Sequence, residues 1–284
     1  MISRRCFTLN AGSLALGAVS GRSACALAPA RLEADSGGRL GVAVRDTATG
    51  AQAGHRASER FPLCSTFKVL AAAALLSRVD AGGEWLDRRV QFEQRDLVTY
   101  SPITQDRVGG NGMALDEICA AAITMSDNTA GNLLLAAIGG PPGLTRYARS
   151  LGDEVTRLDR IEPELNEALP DDPRDTTAPA AMVADLARLL TGNALSVGSR
   201  RHLLDWLLAS KTGDARLRAG IPRGWQVGDK TGSGERGTAN DIGIIRPPDR
   251  APLLVAVYLT QSTQSFEQRN AVIASLGRLI AAAL

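Results

Sequence analysis

The sequence predicts an α+β fold of three layers, α/β/α, in which helices cover both faces of an antiparallel sheet. Alternating apolar and polar residues mark strands near both ends of the chain, while helical periodicity fills most of the middle. We expect the strands from both ends to share one sheet and the middle to form an all-helical lobe. A cleft between the two lobes is the natural place for an active site.

The first strands are predicted as a hairpin at residues 39–61, where apolar and polar residues alternate around a Thr-Gly turn. Helical patterns follow from Ser65 to about Gly220. The predicted helices are Phe67–Val79, Ala114–Thr124, Ala130–Ile138, Leu144–Leu151, Ala178–Leu190 and Arg201–Ala209. The strand-like runs GWQVGDKTG, GTANDIGIIR and APLLVAVYLT come next, and a helix from about Phe266 ends the chain.

The chain begins with the pair Arg4 and Arg5, a short and weakly apolar run, and then small residues. This order is typical of an export segment, and SRRCFTL resembles the twin-arginine signal of bacteria. We predict that residues 1–28 are removed and that the mature protein is periplasmic. The apolar run is too short and too rich in glycine to cross a membrane, so we expect no membrane span in the mature protein.

The composition, with 44% hydrophobic residues in a chain of 284, is that of an ordinary globular protein. Arg4, Arg5 and Arg22 precede the first acidic residue, and without them the net charge falls from +2 to −1. No basic stripe is left in the body of the chain. We therefore expect no nucleic-acid partner.

Past the leader the chain has two cysteines, Cys64 and Cys119, and two histidines, His55 and His202. None of them has the spacing of a zinc site, and two cysteines are too few for a disulfide framework. Nothing else marks an active site around either histidine, which argues against a Ser-His-Asp triad. We predict chemistry without a metal, a cofactor or a histidine.

One of only three lysines, against twenty-nine arginines, is Lys68, three residues after Ser65 at the start of an apolar helix. The spacing places both side chains on one helix face. A cation in the first turn opposes the helix dipole and loses hydration when buried, so both effects lower the lysine pKa. A neutral lysine can take a proton from a neighbouring hydroxyl, which an arginine cannot do. A lysine that reaches solvent behind a serine N-cap is the alternative interpretation.

Two further motifs accompany S-x-x-K at residues 65–68: S-D-N at residues 126–128 and K-T-G at residues 230–232. The three together are the signature of class A β-lactamases and penicillin-binding proteins, and the chain resembles this superfamily from about residue 31 onward. A second K-T-G, at residues 211–213, closes a predicted helix, and we interpret that copy as structural.

The segment RIEPELNEALPDDPRD, residues 160–175, resembles the class A loop that positions a hydrolytic water. Glu162 and Asn166 would hold this water between an acceptor and a donor, while Arg160 and Asp175 match the pair that clamps the ends of the loop. The chain is thereby identified as resembling a class A serine β-lactamase. Such an enzyme hydrolyses the ring of penicillins and cephalosporins through an acyl-enzyme and confers resistance.

The resemblance implies a catalytic role for each matched residue. Ser65 is the nucleophile, and Lys68 and Glu162 are alternative bases for acylation. Ser126 passes a proton to the lactam nitrogen, supported by the charge of Lys230. The backbone N–H groups of Ser65 and Ser233 form the oxyanion hole.

Substrate-binding roles follow from the same resemblance, and the implied partner is a small-molecule β-lactam bound by a monomer. Asn128 binds the side-chain amide of the substrate, and Thr231 and Ser233 bind its carboxylate. Arg216 matches an alternative location of the arginine that some members carry at the position of Ala239. A further match, Tyr100, is the aromatic residue at the mouth of the cleft.

The resemblance also fixes expectations for the domains and cysteines. One catalytic domain spans residues 29–284, with an α/β lobe at 29–62 and 215–284 and a helical lobe at 63–214. The family's common disulfide would join Cys119 to the position of Ala72, and the carbapenemase type would join Cys64 to that of Gly234. Neither partner is a cysteine, so we expect two free thiols.

Two other functions stay open. A penicillin-binding D-alanyl-D-alanine carboxypeptidase or transpeptidase would share Ser65, Lys68 and Lys230 but lack the loop residues Glu162 and Asn166. A non-catalytic β-lactam sensor would stay acylated and usually carry a membrane anchor. Turnover of a chromogenic cephalosporin by the purified protein distinguishes a hydrolase from both.

Overall fold

The computed structural model describes residues 29–284, and the predicted export segment lies outside the described residues. Within that range, no helix is long and apolar enough to cross a membrane. The helices and strands are, in chain order, α1 (residues 29–36), β1 (Arg39–Asp46), β2 (Gln52–His55), β3 (Phe61–Pro62), α2 (Phe67–Asp80), β4 (Arg89–Val90), β5 (Met113–Ala114), α3 (Leu115–Thr124), α4 (Asn128–Ile138), α5 (Gly140–Ser150), β6 (Thr176–Thr177), α6 (Pro179–Leu190), α7 (Val197–Leu208), α8 (Leu217–Gly220), β7 (Gln226–Gly234), β8 (Thr238–Arg246), β9 (Leu253–Thr260) and α9 (Phe266–Ala282).

The main sheet has five antiparallel strands in the order β2-β1-β9-β8-β7. Strand β1 pairs with β9 over its whole length, from Arg39 opposite Thr260 to Asp46 opposite Leu253. The expectation that strands from both chain ends share one antiparallel sheet is confirmed. Strand β7, which carries the K-T-G motif at 230–232, forms one edge of this sheet.

Side chains on each strand alternate between the two faces of the sheet. Both faces are apolar. Helices α8 and α9 cover one face, whose buried residues include Val42, Val44, Val255 and Val257. The large helical part of the molecule covers the other face, which carries Ile242, Ile244, Ala256 and Tyr258. The predicted three-layer α+β fold is confirmed.

Helix α2 runs through the centre of the helical part. Its first ten residues, Phe67 to Leu76, are all buried, in agreement with the nearly uniform apolar character of the segment. A short 3-10 helix, Cys64–Thr66, precedes it and carries Ser65. The lysine predicted to be buried, Lys68, lies in the first turn of α2 with no exposed surface.

Several boundaries differ from the sequence predictions, and each has a local cause. Helix α4 starts two residues early because the Asp127 side chain caps it, accepting the N–H of Ala130 at 2.8 Å. Helix α5 starts at Gly140, where two prolines fit the first turn. Helix α7 starts early behind the cap of Ser196 and ends at Leu208.

The predicted hairpin at residues 39–61 is only partly right. Strand β2 ends at His55, and Phe61 pairs with Thr177 of β6 instead of with β1. A pair of two-residue strands depends on tertiary contacts, so the local pattern of the sequence does not reveal it.

Candidate active site

Three side chains from two parts of the chain meet at the start of α2. Ser65 Oγ donates to Glu162 Oε1 at 3.0 Å, and Lys68 Nζ donates to Ser65 Oγ at 2.9 Å. Lys68 Nζ also lies 3.1 Å from Glu162 Oε1. Neither charged side chain has exposed surface. The serine hydroxyl therefore touches two groups that could accept its proton.

Lys68 is held by three oxygen acceptors besides the carboxylate. Its Nζ donates to Ser65 Oγ, to the backbone oxygen of Ser126 at 2.8 Å and to Asn128 Oδ1 at 2.7 Å. Burial lowers the pKa of Lys68, against the attraction of Glu162, which acts to raise it. The direction of this pKa shift agrees with the prediction from the sequence. A lower pKa increases the fraction of Lys68 that is the neutral amine at neutral pH.

The Glu162 carboxylate and main chain are both fixed. Asn166 Nδ2 donates to Glu162 Oε2, so the two loop residues predicted to act together do lie together. Asn132 of α4 donates from Nδ2 to the Glu162 backbone oxygen and accepts the Glu162 N–H on Oδ1, both at 2.9 Å. Sequence reasoning missed Asn132, although its place one turn after Asn128 on the same helix face was a usable signal.

The loop that carries Glu162 is closed at its base by Arg160 and Asp175. Arg160 Nε donates to Asp175 Oδ2 at 2.6 Å, and Asp175 Oδ1 accepts the backbone N–H groups of Asp159 and Arg160 at 2.7 and 2.9 Å. The Asp175 backbone oxygen also accepts the N–H of Leu63, two residues before the serine. The loop base and the nucleophile are thus tied to one another.

A second hydroxyl lies opposite Ser65. Lys230 Nζ of β7 donates to Ser126 Oγ at 2.9 Å and to the Thr231 backbone oxygen at 2.6 Å. Burial, reinforced by the positive charge of Lys68, moves the pKa of Lys230 well below its ordinary value. Both motif lysines are therefore buried next to hydroxyl groups.

The rim of the site is formed by the segment before α4. Asn128 Nδ2 donates to the Thr99 backbone oxygen at 2.9 Å, and the Asn128 N–H donates to the Tyr100 backbone oxygen at 2.9 Å. The Tyr100 side chain is 55% exposed beside this contact. Asp127, which is fully buried, accepts the N–H groups of Ile103 and Thr104, so it fastens the rim to α4.

Strand β7 lies against the turn that carries the nucleophile. A Cβ at Gly232 would come 3.1 Å from the Leu63 oxygen, and one at Gly234 would come 2.7 Å from Cys64 Sγ. Ser233 lies between these two close contacts. Strand β7 therefore packs against the turn that carries Ser65, and the oxyanion hole formed by the N–H groups of Ser65 and Ser233 stays a prediction.

Arg216 lies behind β7 and is only 3% exposed. Its Nη2 donates to Ser233 Oγ at 2.7 Å, and its Nη1 donates to the backbone oxygens of Gly232 and Asn240 at 2.7 and 2.6 Å. Asn270 Oδ1 accepts from Nε at 2.9 Å. The guanidinium therefore supports Ser233 from behind, while its charge remains next to the predicted carboxylate site.

Comparison with known proteins agrees with this geometry. Residues 27–284 match the model of the β-lactamase enzyme family. The chain is 50% identical over 249 residues to the β-lactamase Toho-1 of Escherichia coli, covering 88% of this chain and 85% of that protein. Identity is also 50% to the β-lactamase CTX-M-8 of Citrobacter amalonaticus, over 251 residues, 88% of this chain and 86% of that protein.

Solved structures narrow the class. An ancestral (GNCA) class A β-lactamase superposes with a TM-score of 0.89 at 63% identity, covering 90% of this chain and 98% of that one. A putative class A β-lactamase, PenP of Rhodopseudomonas palustris, superposes with a TM-score of 0.88 at 62% identity, covering 90% of this chain and 97% of that one. The chain belongs to the class A β-lactamase family.

In this β-lactamase, four of the nine non-glycine residues that have positive φ in the described part of the chain lie at the site. Cys64, Tyr100, Ser126 and Asp175 all have positive φ values, of 43°, 67°, 58° and 55°. Such values are uncommon for residues other than glycine and persist where the surrounding structure holds them. Each of these residues either is a site residue or directly adjoins one.

The second K-T-G of this class A enzyme requires a correction. It does not close a helix, because α7 ends at Leu208, before Lys211. Instead Thr212 Oγ1 lies 2.6 Å from Thr231 Oγ1 in the functional motif. Helical periodicity hid this contact, since the three residues form a bend that packs on β7.

The cysteines and histidines of the β-lactamase lie as expected from the sequence. Cys64 and Cys119 are free and buried, and burial raises the pKa of both thiols. His55 Nε2 pairs with Glu33, and His202 packs near the Trp206 ring. Among the described residues, no group of His, Cys, Asp or Glu could hold a metal ion.

Proposed function

We propose that this enzyme hydrolyses β-lactam rings through an ester on Ser65. One observation carries the proposal: Ser65 Oγ contacts both Lys68 Nζ and Glu162 Oε1 in a buried cluster that also holds Asn166. A transpeptidase needs the serine and the lysine. The additional carboxylate and amide favour a hydrolase, because they can present water to the ester.

Acylation starts with attack of Ser65 Oγ on the lactam carbonyl carbon. The serine proton goes to Lys68 or to Glu162, since each lies within hydrogen-bond distance of the hydroxyl. As the C–N bond breaks, the ring nitrogen takes a proton from Ser126 Oγ, and Lys230 stabilises the charge that develops on that oxygen. The backbone N–H groups of Ser65 and Ser233 stabilise the carbonyl oxyanion, where one donor is typically worth about 3 to 4 kcal/mol.

Deacylation adds water to the same carbon. Glu162 takes a proton from the water while the water oxygen bonds to the carbonyl carbon. Asn166 orients the water. The ester C–O bond breaks and the proton returns to Ser65 Oγ, so the serine is regenerated. The fixed main chain of Glu162 keeps its carboxylate aimed at the ester.

Recognition uses the two rims of the cleft. We assign the side-chain amide of the substrate to Asn128 and the rim aromatic Tyr100, and its carboxylate to Thr231 and Ser233. Arg216, whose Nη2 supports the Ser233 hydroxyl, adds positive charge near that carboxylate.

The experiment that tests the function compares Glu162→Ala with Ser65→Ala. After brief mixing with a penicillin, mass spectrometry should show Glu162→Ala heavier by one intact ligand, because deacylation slows by about 10² to 10⁴ while acylation continues. The parent should show little adduct and Ser65→Ala none. Steady turnover by Glu162→Ala at the parent rate would refute the assigned water activator.

The same measurement separates the alternative functions. A parent protein that stays acylated and releases no hydrolysed product would be a transpeptidase-like enzyme or a sensor.

We further propose that the enzyme is exported to the periplasm and acts there as a monomer. The pair Arg4 and Arg5 supports export by the twin-arginine route. Replacing both with lysine should leave active enzyme in the cytoplasm, and unchanged periplasmic activity would refute this route. Sedimentation of the mature enzyme would test the monomer.

A further inference from the structure

The chain carries the tripeptide Lys-Thr-Gly twice, and the fold brings both copies together. The copy at 230–232 lies in β7, while the copy at 211–213 lies in the connection after α7. Their threonine hydroxyls, Thr212 Oγ1 and Thr231 Oγ1, are 2.6 Å apart. Among the described residues, neither hydroxyl has another hydrogen-bond partner.

The backbone on both sides of Thr212 is held in place. The Lys211 N–H donates to the Thr124 backbone oxygen at 2.9 Å. Gly213 packs flat on Asp229, where a Cβ would come 2.0 Å from a carboxylate oxygen. Asp229 is in turn paired with Arg218 at 3.0 Å. The contacts of Lys211 and Gly213 therefore hold the segment so that the Thr212 hydroxyl faces Thr231.

The direction of this hydrogen bond matters because each hydroxyl has only one proton. If Thr231 donates to Thr212, its proton is unavailable to a ligand. If Thr212 donates to Thr231, the Thr231 proton is free to donate to a carboxylate, and the two hydrogen bonds strengthen each other. A bound carboxylate can only accept, so it selects the second direction.

We propose that Thr212 is a positioning residue for the substrate carboxylate: it donates to Thr231 and thereby directs the Thr231 proton to the bound anion. The proposal rests on the proposed function, since it takes Thr231 as a carboxylate ligand. It gives the K-T-G at 211–213 a part in substrate recognition without direct contact between Thr212 and the substrate.

The test uses Thr212→Val, which keeps the shape but removes the hydroxyl, and Thr212→Ser, which keeps the hydroxyl. With a penicillin that carries a free carboxylate, Thr212→Val should lose about tenfold in kcat/KM, mainly through a higher KM, as expected for one hydrogen bond to a charged group. The kcat/KM of Thr212→Ser should stay within about threefold of the parent value, which is a smaller change than the loss of one hydrogen bond causes.

Two controls distinguish positioning from structural damage. With the methyl ester of the same penicillin, Thr212→Val and the parent should have equal kcat/KM, because the ester lacks the anion. In a Thr231→Val background, adding Thr212→Val should cost nothing further. Three outcomes would each overturn the proposal. Thr212→Val could lose equally on the acid and the ester, Thr212→Val could keep full activity on the acid, or Thr212→Ser could fail to restore activity. A parent that turns over neither substrate would overturn the proposed function as well.

Discussion

Asn132 supports the active site without belonging to any of its motifs. Its side-chain amide makes two hydrogen bonds of 2.9 Å with the main chain of Glu162, one as donor and one as acceptor. This arrangement joins α4, which also carries Asn128, to the loop that carries Glu162, the proposed water activator. A single amide side chain thus ties the helix to the loop.

Replacing Asn132 with leucine should weaken both the loop and deacylation. Loss of two hydrogen bonds should lower the free energy of unfolding by about 2 kcal/mol. Because the Glu162 main chain is released, the acyl-enzyme should persist longer after mixing with a penicillin. Thermal unfolding and rapid-quench mass spectrometry measure the two effects.

Asn132→Asp is the matched control, since it retains the acceptor for the Glu162 N–H but loses the donor. It should fall between the parent and Asn132→Leu in acyl-enzyme lifetime. A leucine variant with the parent's stability and deacylation rate would show that these hydrogen bonds do not hold the loop.

Among single residues, the sequence predicts those whose side chains proton transfer requires. Ser65, Lys68 and Lys230 stand out because proton transfer needs those groups, and lysine is rare in the chain. Asn132 and Thr212 do not stand out, because an amide or a hydroxyl occurs at many surface positions. Their importance comes from what the fold places opposite them.

The loop from Arg160 to Asp175 carries Glu162 and Asn166, on which the proposed hydrolysis depends. Asp175 is 1% exposed and accepts two backbone N–H groups and the Arg160 side chain. Since its backbone also binds Leu63, the carboxylate anchors the loop close to the nucleophile. The loop carries a second ion pair beside its base, between Arg174 and Asp172.

Asp175→Asn should destabilise the enzyme by about 3 kcal/mol, because it leaves Arg160 without its buried partner. Deacylation should slow more than acylation, since the loop carries Glu162 and Asn166 but not Ser65. Denaturant unfolding and single-turnover kinetics measure the two quantities.

Arg174→Ala is the control on the same loop. The Arg174 side chain is 44% exposed, so its removal should lower stability less than Asp175→Asn does and leave both rates unchanged. Equal effects of Asp175→Asn and Arg174→Ala would show that the ion pair of Arg160 and Asp175 holds the loop no more strongly than the ion pair of Arg174 and Asp172.

The helices were predictable as elements because their apolar content is high and continuous. Helices α2, α3 and α6 begin and end close to the expected residues, since burial and propensity agree there. Strands β3 and β6 were not predictable, because each consists of two residues that pair only after the chain folds. The bend that carries Thr212 escaped prediction for a similar reason.

The stability of the whole molecule includes a buried acidic pair far from the nucleophile. Asp153 and Asp185 are 4% and 0% exposed and contact each other, and neither oxygen of Asp185 meets an N–H or O–H donor among the described residues. Burial, reinforced by Asp153, raises the pKa of Asp185 to about 9, against the weaker attraction of Arg188 and Arg149. Asp185 therefore keeps its proton at neutral pH.

This proton makes stability depend on pH in a defined direction. From about pH 4, where an unfolded aspartate releases its proton, up to pH 9, the folded chain binds a proton that the unfolded chain lacks. Stability contributed by the neutral form is complete below this range and is lost as pH rises to about 9. The loss reaches about 1.4 kcal/mol per pH unit when one group titrates alone.

Asp185→Asn should remove this dependence, because an amide does not titrate in the range and can donate to Asp153. The variant should unfold at a higher temperature than the parent at pH 8, with a smaller gain at pH 5. Asp205→Asn, at a 60% exposed side chain, should follow the parent at both pH values. An Asp185→Asn variant that tracks the parent in the same scans would show that Asp185 carries no extra proton in the folded enzyme.

The place of β9 between β1 and β8 has a consequence for synthesis. While the ribosome is still making the last part of the chain, β1 lacks the neighbour with which it pairs along its whole length. The sheet therefore cannot close until residues 253–260 have emerged, and α9 must still follow to cover its outer face. Folding of this enzyme is completed after translation, so a transport route that accepts only folded cargo would select finished chains.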